Sequence, residues 1–194
     1  MKHDKESIIR EIKSWVYTVI LPVLVVLVLN LFVCKLAIVS GSSMYPTLHH
    51  RDILLVWMLN DKPENGDIVV VNTDEDSVMA GEKIVKRVIA TEGQVVDIDF
   101  STGTVFVDGQ ALDEPYIHSS TTRPEGMKFP LTVDDGCVFV MGDNRLKSMD
   151  SRDPLIGLID EREILGKALF LLWPGKGTDS CPIEFDFFRI GVIE

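Results

Sequence analysis

An apolar run at residues 14–34 constrains this chain more than any other feature. It holds 21 residues without a charged side chain. As a helix rising about 1.5 Å per residue it would be about 31 Å long, the thickness of a bilayer's hydrocarbon core. Pro22 lies inside the run, where a membrane helix tolerates it as a kink. The run predicts a membrane-spanning helix at residues 14–35, with the rest of the chain folded beside a membrane.

A cleaved export signal is the alternative interpretation of the same run. The apolar part of such a signal is about 7–15 residues long and ends at an Ala-x-Ala-like site. Here the run is longer, and the segment Val39-Ser40-Gly41 that follows it is a poor cleavage site. An uncleaved anchor is therefore favoured.

The charges beside the run indicate how it is oriented. Only Lys35 follows it closely, whereas four basic residues precede it: Lys2, Lys5, Arg10 and Lys13. Basic residues flanking a span stay on the cytoplasmic side. The sequence therefore predicts a single-pass protein of the cell membrane, with a cytoplasmic tail at residues 1–13 and an extracytoplasmic domain at residues 36–194.

Composition excludes several classes of function for that domain. The chain carries 30 Asp and Glu against 19 Lys and Arg, so it lacks the basic face that a nucleic-acid partner requires. No C-x-x-C or H-E-x-x-H spacing occurs, and neither a metal nor another cofactor is predicted. Cys137 and Cys181 could form a disulfide after export, but their redox state stays open.

The pattern of residues 36–194 is typical of a mainly β protein. Short β-branched and apolar runs alternate with turn residues, and Asp108-Gly109 predicts a tight hairpin. Only residues 160–166 suggest a short helical turn. The predicted fold is an antiparallel β-sheet catalytic domain with a small β insert subdomain at approximately 97–135. The runs that predict strands are 53–57, 68–72, 84–89, 95–98, 104–107, 138–141 and 168–172.

A hydroxyl-rich turn follows the apolar run at residues 40–48, Ser-Gly-Ser-Ser-Met-Tyr-Pro-Thr-Leu. A serine in such a turn is a candidate nucleophile, but it needs a base. The usual base is histidine, and none is well placed: His3 is on the cytoplasmic side, His118 is in a loop, and His49 and His50 are expected to be exposed. A loop histidine stays open as an alternative.

Lysine can replace histidine when burial lowers its pKa from about 10.4 toward neutrality. Strand alternation places Lys86 on the same face as Ile84 and Val88, with Arg87 on the opposite face. This pattern favours a buried lysine that could act as a base. A lysine on an edge strand, which prevents aggregation, fits the alternation equally well.

Three ordered segments resemble the motifs of the type I signal peptidases. They are the turn at 40–48, Lys86-Arg87-Val88, and the polar segment 142–152, Gly-Asp-Asn-Arg-Leu-Lys-Ser-Met-Asp-Ser-Arg. Gly66-Asp67-Ile68-Val69-Val70 and the N-terminal apolar run fit the same order. The first and third segments are specific when they occur together, whereas a Lys-Arg pair alone is weak. The resemblance covers nearly all of residues 15–174.

This resemblance implies a serine protease with a Ser–Lys dyad. By position, Ser43 is the expected nucleophile and Lys86 the expected general base. Ser148 matches the serine that orients the lysine ammonium. Two supporting ion pairs are expected, Arg87 with Asp143 and Asp150 with Arg152.

The oxyanion hole departs from the best-known family pattern. The backbone N–H of Ser43 is one expected donor. Some family members supply a second from a serine two positions earlier, but this chain has Gly41 there. Ser42, another backbone N–H or a water is left as the second donor.

Substrate choice also has a physical interpretation. Apolar residues of moderate size near the nucleophile and the base would form shallow pockets for small side chains, although core packing is the alternative. These residues are Val39, Met44, Leu48, Ile84 and Val85.

The predicted function is that of a membrane-anchored serine endopeptidase. The resemblance implies that it cleaves N-terminal signal peptides from exported preproteins after small residues at −1 and −3, with those preproteins and membrane lipid as partners. A soluble self-cleaving repressor would share the dyad but not the apolar run. The stronger alternative is a catalytically idle, membrane-anchored relative that binds or chaperones exported proteins. The presence of both Ser43 and Lys86 argues against it.

Overall fold

The computed structural model describes residues 10–58, 62–73, 81–175 and 186–193, except the side chains of residues 28–32. The N-terminal part is helical from residue 10, with a π-helical turn at Val16–Ile20 followed by helix α1, Leu21–Phe32. Within the described residues, no helix combines the length and the apolar character that a membrane crossing requires. Lys2, His3, Lys5 and Cys181 of the sequence predictions lie outside this part.

The rest of the described chain is mainly antiparallel β-structure, as predicted. Its larger sheet has the strand order β1-β2-β11-β3-β4-β9-β10, with β12 paired to β11. The strands are β1 (Cys34–Ile38), β2 (Ile53–Trp57), β3 (Ile68–Asn72), β4 (Lys83–Thr91), β9 (Cys137–Met141), β10 (Ile159–Asp160), β11 (Ile164–Trp173) and β12 (Gly191–Val192).

A second sheet of four strands has the order β7-β6-β5-β8. These strands are β5 (Val95–Asp99), β6 (Thr104–Val107), β7 (Gln110–Ala111) and β8 (Leu131–Thr132). Asp108 and Gly109 connect β6 to β7 with φ of 52° and 76°, the left-handed backbone that a two-residue hairpin favours. This sheet lies within the segment assigned to an insert subdomain, and whether it is a separate unit stays a prediction.

Two local predictions need correction. The predicted span extends to residue 35, but helix α1 ends at Phe32 and strand β1 begins at Cys34. The reason is long-range pairing, because β1 aligns with β2 from Cys34↔Trp57 to Ile38↔Ile53. The helical turn predicted at residues 160–166 is a 3₁₀ helix at Glu161–Glu163 only, and Ile164 already begins β11.

Strand β4 lies inside the larger sheet, between β3 and β9. It pairs with β3 through Val69↔Lys86 and with β9 through Arg87↔Met141. The interpretation of Lys86 as an edge-strand lysine is therefore wrong. Ile84 and Val88 belong to one core cluster with Val69, so Lys86 occupies a strand position surrounded by buried apolar residues.

Candidate active site

The turn that carries Ser43 is a loop at residues 39–52 between β1 and β2. The two ends of this nucleophile loop are joined: Val39 N–H donates to Asp52 O at 2.9 Å, and Arg51 N–H to Val39 O at 2.8 Å. Gly41 adopts φ +90°, a left-handed conformation that other residues rarely take. The loop is thus a closed turn of defined shape, with Ser43 near its tip.

Lys86 reaches this loop from strand β4. Its Nζ donates to Ser43 Oγ at 3.1 Å and to the carbonyl oxygen of Val85 at 3.3 Å. The side chain is almost fully buried, and Lys86 is only 3% exposed. Burial lowers the pKa of Lys86 to about 8, because the charged ammonium loses its hydration, while Asp150 opposes and Arg152 assists this shift. A serine hydroxyl and a partly neutral amine therefore lie within hydrogen-bond distance.

The segment 142–152, here called the ion-pair loop, follows β9 and packs against the nucleophile loop. Asn144 N–H donates to Ser43 O at 2.9 Å, and the Asn144 side-chain amide to Ser42 O at 3.0 Å. Gly142 permits this approach, because a Cβ there would stand 2.5 Å from Ser43 O and 2.3 Å from Ser148 Oγ. The hydrogen bonds of Asn144 thus fix the backbone of Ser42 and Ser43 against the ion-pair loop.

Buried charges in this region are paired with charges of opposite sign. Arg87 donates to both carboxylate oxygens of Asp143 at 3.0 and 2.9 Å, and its guanidinium lies 4.0 Å from the Tyr116 ring centroid. Asp150 accepts from Arg152 at 2.8 and 2.9 Å and from Gly142 N–H at 2.9 Å. A third pair, which the sequence did not predict, joins Arg145 to Glu114 at 2.6 Å.

Ser148 is buried beside this site, but no hydrogen bond joins it to Lys86. Its Oγ is close enough to Asp150 to help lower the pKa of that carboxyl group, yet it lies outside hydrogen-bonding geometry with any described group. The orienting role expected for Ser148 stays a prediction.

The apolar residues predicted to form the substrate pocket divide into two sets. A cavity of about 290 Å³ opens beside Ser43 and Lys86, and Val39, Met44, Ile84 and Val85 are among its lining residues, together with Lys147 and Met149. Leu48 is 1% exposed and packs in the core with Val39 and Met44, so its assignment to the pocket is corrected to a core residue.

The histidines and the candidate oxyanion donors are also located. His49 is 8% exposed, so its expected exposure is wrong; its ring stacks on Tyr45 at 5.4 Å, and burial lowers its pKa. His50 Nδ1 accepts from Gly41 N–H at 3.1 Å, which occupies that candidate donor. In the described part of the chain, the Ser43 N–H has no acceptor.

Sequence reasoning missed Asp52, which is fully buried at the end of the nucleophile loop. It accepts from His49 N–H and Gly175 N–H, each at 2.7 Å, and from Arg189 at 2.6 Å. An acidic residue immediately before a strand is ordinarily a surface residue, and no local pattern distinguishes this one. No group of acidic, histidine and cysteine side chains suited to a metal occurs among the described residues.

Comparisons with known proteins give a consistent result. Residues 12–173 match the family described as "Signal peptidase, peptidase S26". A signal peptidase I S of Bacillus subtilis (strain 168) is 34% identical over 185 residues, covering 90% of this chain and 96% of that protein. A signal peptidase I of Bacillus amyloliquefaciens is 38% identical over 171 residues, covering 83% and 85%. A crystal structure of a signal peptidase I from Enterococcus faecalis V583 is 28% identical, with a TM-score of 0.45, covering 55% of this chain and 97% of that one.

Proposed function

The chain belongs to the type I signal peptidases, peptidase family S26, and on this premise we propose that it removes N-terminal signal peptides with a Ser43–Lys86 dyad. The observation that carries the proposal is the 3.1 Å distance between Lys86 Nζ and Ser43 Oγ, combined with the burial of the lysine. With a pKa of about 8, about one lysine in ten is neutral at pH 7, and the neutral form is the base.

The proposed reaction begins when neutral Lys86 removes the proton of the Ser43 hydroxyl. Ser43 Oγ then attacks the scissile carbonyl carbon, and the carbonyl oxygen becomes an oxyanion. Collapse of this intermediate breaks the C–N bond, and Lys86 returns its proton to the leaving amine. Lys86 next takes a proton from a water molecule, whose oxygen attacks the acyl carbon. The bond between that carbon and Ser43 Oγ then breaks, and Lys86 returns the proton to Ser43 Oγ. The Ser43 N–H and a Ser42 donor would stabilise the oxyanion.

The cavity beside the dyad supports a preference for small residues at −1 and −3 of the cleavage site. It is lined by residues 38–44 and 82–86, and the apolar side chains of Val39, Ile84 and Val85 among them suit small apolar residues such as alanine. Ser148 would orient Lys86 after a rotation of its hydroxyl, and the Arg87–Asp143 and Asp150–Arg152 pairs would hold the surrounding backbone.

We also propose that the helical residues 14–32 anchor the enzyme in the membrane, with residues 1–13 in the cytoplasm. Apolar side chains along residues 15–27, among them Trp15 at 67% and Val26 at 60%, are exposed. The anchor would need the π-helical turn and α1 to act as one span, because the 12 residues of α1 cover only about 18 Å. Alkaline carbonate extraction of membranes tests this: the full chain should stay in the pellet, and release would contradict the anchor.

Cleavage of a preprotein tests the proposed function directly. The full chain in detergent is incubated with a preprotein that has an Ala-x-Ala site, beside Ser43→Ala and Lys86→Met variants. We expect cleavage after the second alanine by the unmodified chain and loss of about 10³-fold or more in both variants. Cleavage that survives Lys86→Met would contradict the dyad. Absence of cleavage by the unmodified chain would favour an idle relative.

A further inference from the structure

The nucleophile loop is fastened at its base by the buried carboxylate of Asp52. This carboxylate is 0% exposed. One oxygen accepts from His49 N–H inside the loop, and the other accepts from Gly175 N–H, which follows β11. Gly175 approaches so closely that a Cβ there would stand 2.2 Å from His50 O. Asp52 is therefore the point where the loop meets the end of the larger sheet.

The third partner of Asp52 comes from the C-terminal segment at residues 186–193. Arg189 belongs to a 3₁₀ helix, Phe187–Arg189, whose first residues are capped by Asp186. Its guanidinium donates to both oxygens of Asp52, from Nη1 at 3.2 Å and from Nη2 at 2.6 Å. Strand β12 then pairs with β11. The segment is thus tied to the sheet at one end and to the loop at the other.

Arg189 also contacts the loop at a second place. Its Nη2 donates to the carbonyl oxygen of Thr47 at 3.2 Å, and the Thr47 hydroxyl donates to Asp143 at 2.5 Å. Asp143 in turn pairs with Arg87, the residue after Lys86. A continuous set of hydrogen bonds therefore leads from Arg189 through the nucleophile loop to the strand that carries the base.

We propose that Arg189 is a positioning residue for signal-peptide cleavage, which keeps Ser43 in line with Lys86 by clamping Asp52 and Thr47. The proposal rests on the proposed function of the Ser43–Lys86 dyad. Arg189 lies C-terminal to residues 12–173, the part that matches the family model.

The contacts of Arg189 support a role in positioning the nucleophile loop and not in binding the substrate. The cavity beside the dyad is lined by residues 38–44 and 82–86 with Lys147 and Met149, whereas the described hydrogen bonds of Arg189 go to Asp52 and Thr47. Its side chain is 18% exposed, and Asp52 keeps its two backbone donors when the guanidinium is removed. Loss of Arg189 should therefore loosen the loop without unfolding the sheet. A displacement of the nucleophile by about 1 Å can cost about 10²-fold in rate.

The test compares Arg189→Gln with Arg189→Lys in the full chain, using a preprotein with an Ala-x-Ala site. The matched control is Arg162→Gln, because Arg162 also lies in a short 3₁₀ helix and pairs with an aspartate, but at the surface and away from the dyad. We expect Arg189→Gln to lower kcat by about tenfold to 10²-fold with KM within about twofold. Arg189→Lys should recover part of kcat, because it keeps a charge for Asp52, and Arg162→Gln should match the unmodified enzyme.

Thermal unfolding and pH profiles distinguish positioning from general destabilisation. The apparent pKa of the acidic limb in the pH profile of kcat/KM should be the same in Arg189→Gln as in the unmodified enzyme, because the surroundings of Lys86 do not change. The proposal is overturned if Arg189→Gln equals Arg162→Gln in kcat, if the loss is in KM alone, or if kcat returns fully at a temperature well below the variant's Tm. If the unmodified chain fails to cleave while it remains folded, the proposed function has failed, and this outcome differs from all three.

Discussion

The ion-pair loop and strand β4 both bury cationic side chains, but the two arginines of the loop have charged partners and Lys86 of the strand does not, within the part of the chain that the structure describes. Arg145 and Arg152 of the loop are 0% exposed, and Lys86 of the strand is 3% exposed. Each arginine has a carboxylate partner, Glu114 at 2.6 Å and Asp150 at 2.8 Å. Among the described residues, Lys86 has no ion-pair partner, and its hydrogen-bond acceptors are Ser43 Oγ and Val85 O.

This difference shows how one region can hold permanent charges beside a group that loses its proton. Asp150 is near enough to favour the protonated form of Lys86, but it is engaged by Arg152, whose charge acts in the opposite sense. Burial then dominates, and the pKa of Lys86 falls to about 8. The paired arginines stay charged, whereas the unpaired lysine can lose its proton near neutral pH.

The largest effect is expected when Lys86 is replaced by an arginine, which removes the chemical difference between the lysine and the paired arginines. Lys86→Arg would place a guanidinium, which stays protonated at any usable pH, at the position of the base. We expect the cleavage rate to fall by at least about 10²–10⁴-fold at every pH, as in Lys86→Met. Initial rates between pH 7 and pH 10 check this, and a Lys86→Arg enzyme that recovers activity at high pH would contradict a proton-accepting role.

Breaking an ion pair in the loop should act on stability instead. Asp150→Asn leaves Arg152 buried with only the more distant Glu125 carboxylate, at 3.9 Å, as a charged partner, and the loss of one member of a buried pair costs up to about 3–5 kcal/mol. Asp160→Asn is the control, because it breaks the pair with Arg162, whose side chain is 89% exposed, and exposed pairs contribute little. Denaturant unfolding measures both variants. Equal losses in the two would show that burial does not distinguish these pairs.

The unpaired lysine predicts a pH dependence with a definite sign. The rate should rise with pH and level off above about 8, because Lys86 must lose its proton to act. Below pH 8, Lys86 is protonated in both states, so the folded protein bears the cost of a buried ammonium. Between the folded pKa of about 8 and the ordinary value of 10.5, the unfolded state binds more protons, and stability rises with pH.

Replacing Lys86 by an apolar residue measures how much the burial of its ammonium destabilises the folded protein. Lys86→Met should increase the free energy of unfolding by up to about 3 kcal/mol below pH 8, and the gain should shrink toward pH 10.5 as the unmodified protein recovers. Denaturant unfolding at several pH values measures it. A gain that is the same at every pH would show that burial of charge is not its cause.

The surroundings of Lys86 could be predicted from the sequence only in part. Period-two alternation is local, so it correctly placed Lys86 with Ile84 and Val88 on a face with buried neighbours. The predicted strands likewise rest on local patterns and occur in the structure, with β4 and β11 longer than predicted because pairing extends them. Alternation could not show that β4 is an inner strand, since strand order is set by residues far apart in the chain.

The contacts that were missed join residues distant in sequence. Glu114 and Arg145 lie in separate loops, and nothing local marks them as partners. The burial of His49 was missed because some of its neighbours are distant in sequence: Arg189 and Asp186 of the C-terminal segment lie close enough to act on its pKa. The proposal that Ser43 and Lys86 form a dyad came from the resemblance of ordered motifs, whereas the distance of 3.1 Å between their side chains could come only from the structure.

The smallest effects should separate two serines of the ion-pair loop. Ser151 Oγ accepts from the buried Val140 N–H at 3.0 Å, whereas Ser148 Oγ has no described hydrogen-bond partner. Ser151→Ala would leave a buried donor unpaired and should cost about 1–3 kcal/mol of stability with little change in rate. Ser148→Ala leaves nothing unpaired, so stability should hardly change.

A rate loss in Ser148→Ala would therefore have to come from the reaction itself. If the hydroxyl turns toward the ammonium of Lys86 once the proton has been transferred, kcat should fall by about tenfold, the effect of about one lost hydrogen bond to a charged group. The apparent pKa of the acidic limb in the pH profile of kcat/KM should not change, because the contact between Ser148 and Lys86 is absent in the free enzyme. Unfolding curves and rates of the two variants decide this. An unchanged kcat in Ser148→Ala would make Ser148 a packing residue and leave the orientation of Lys86 to burial and to Val85 O.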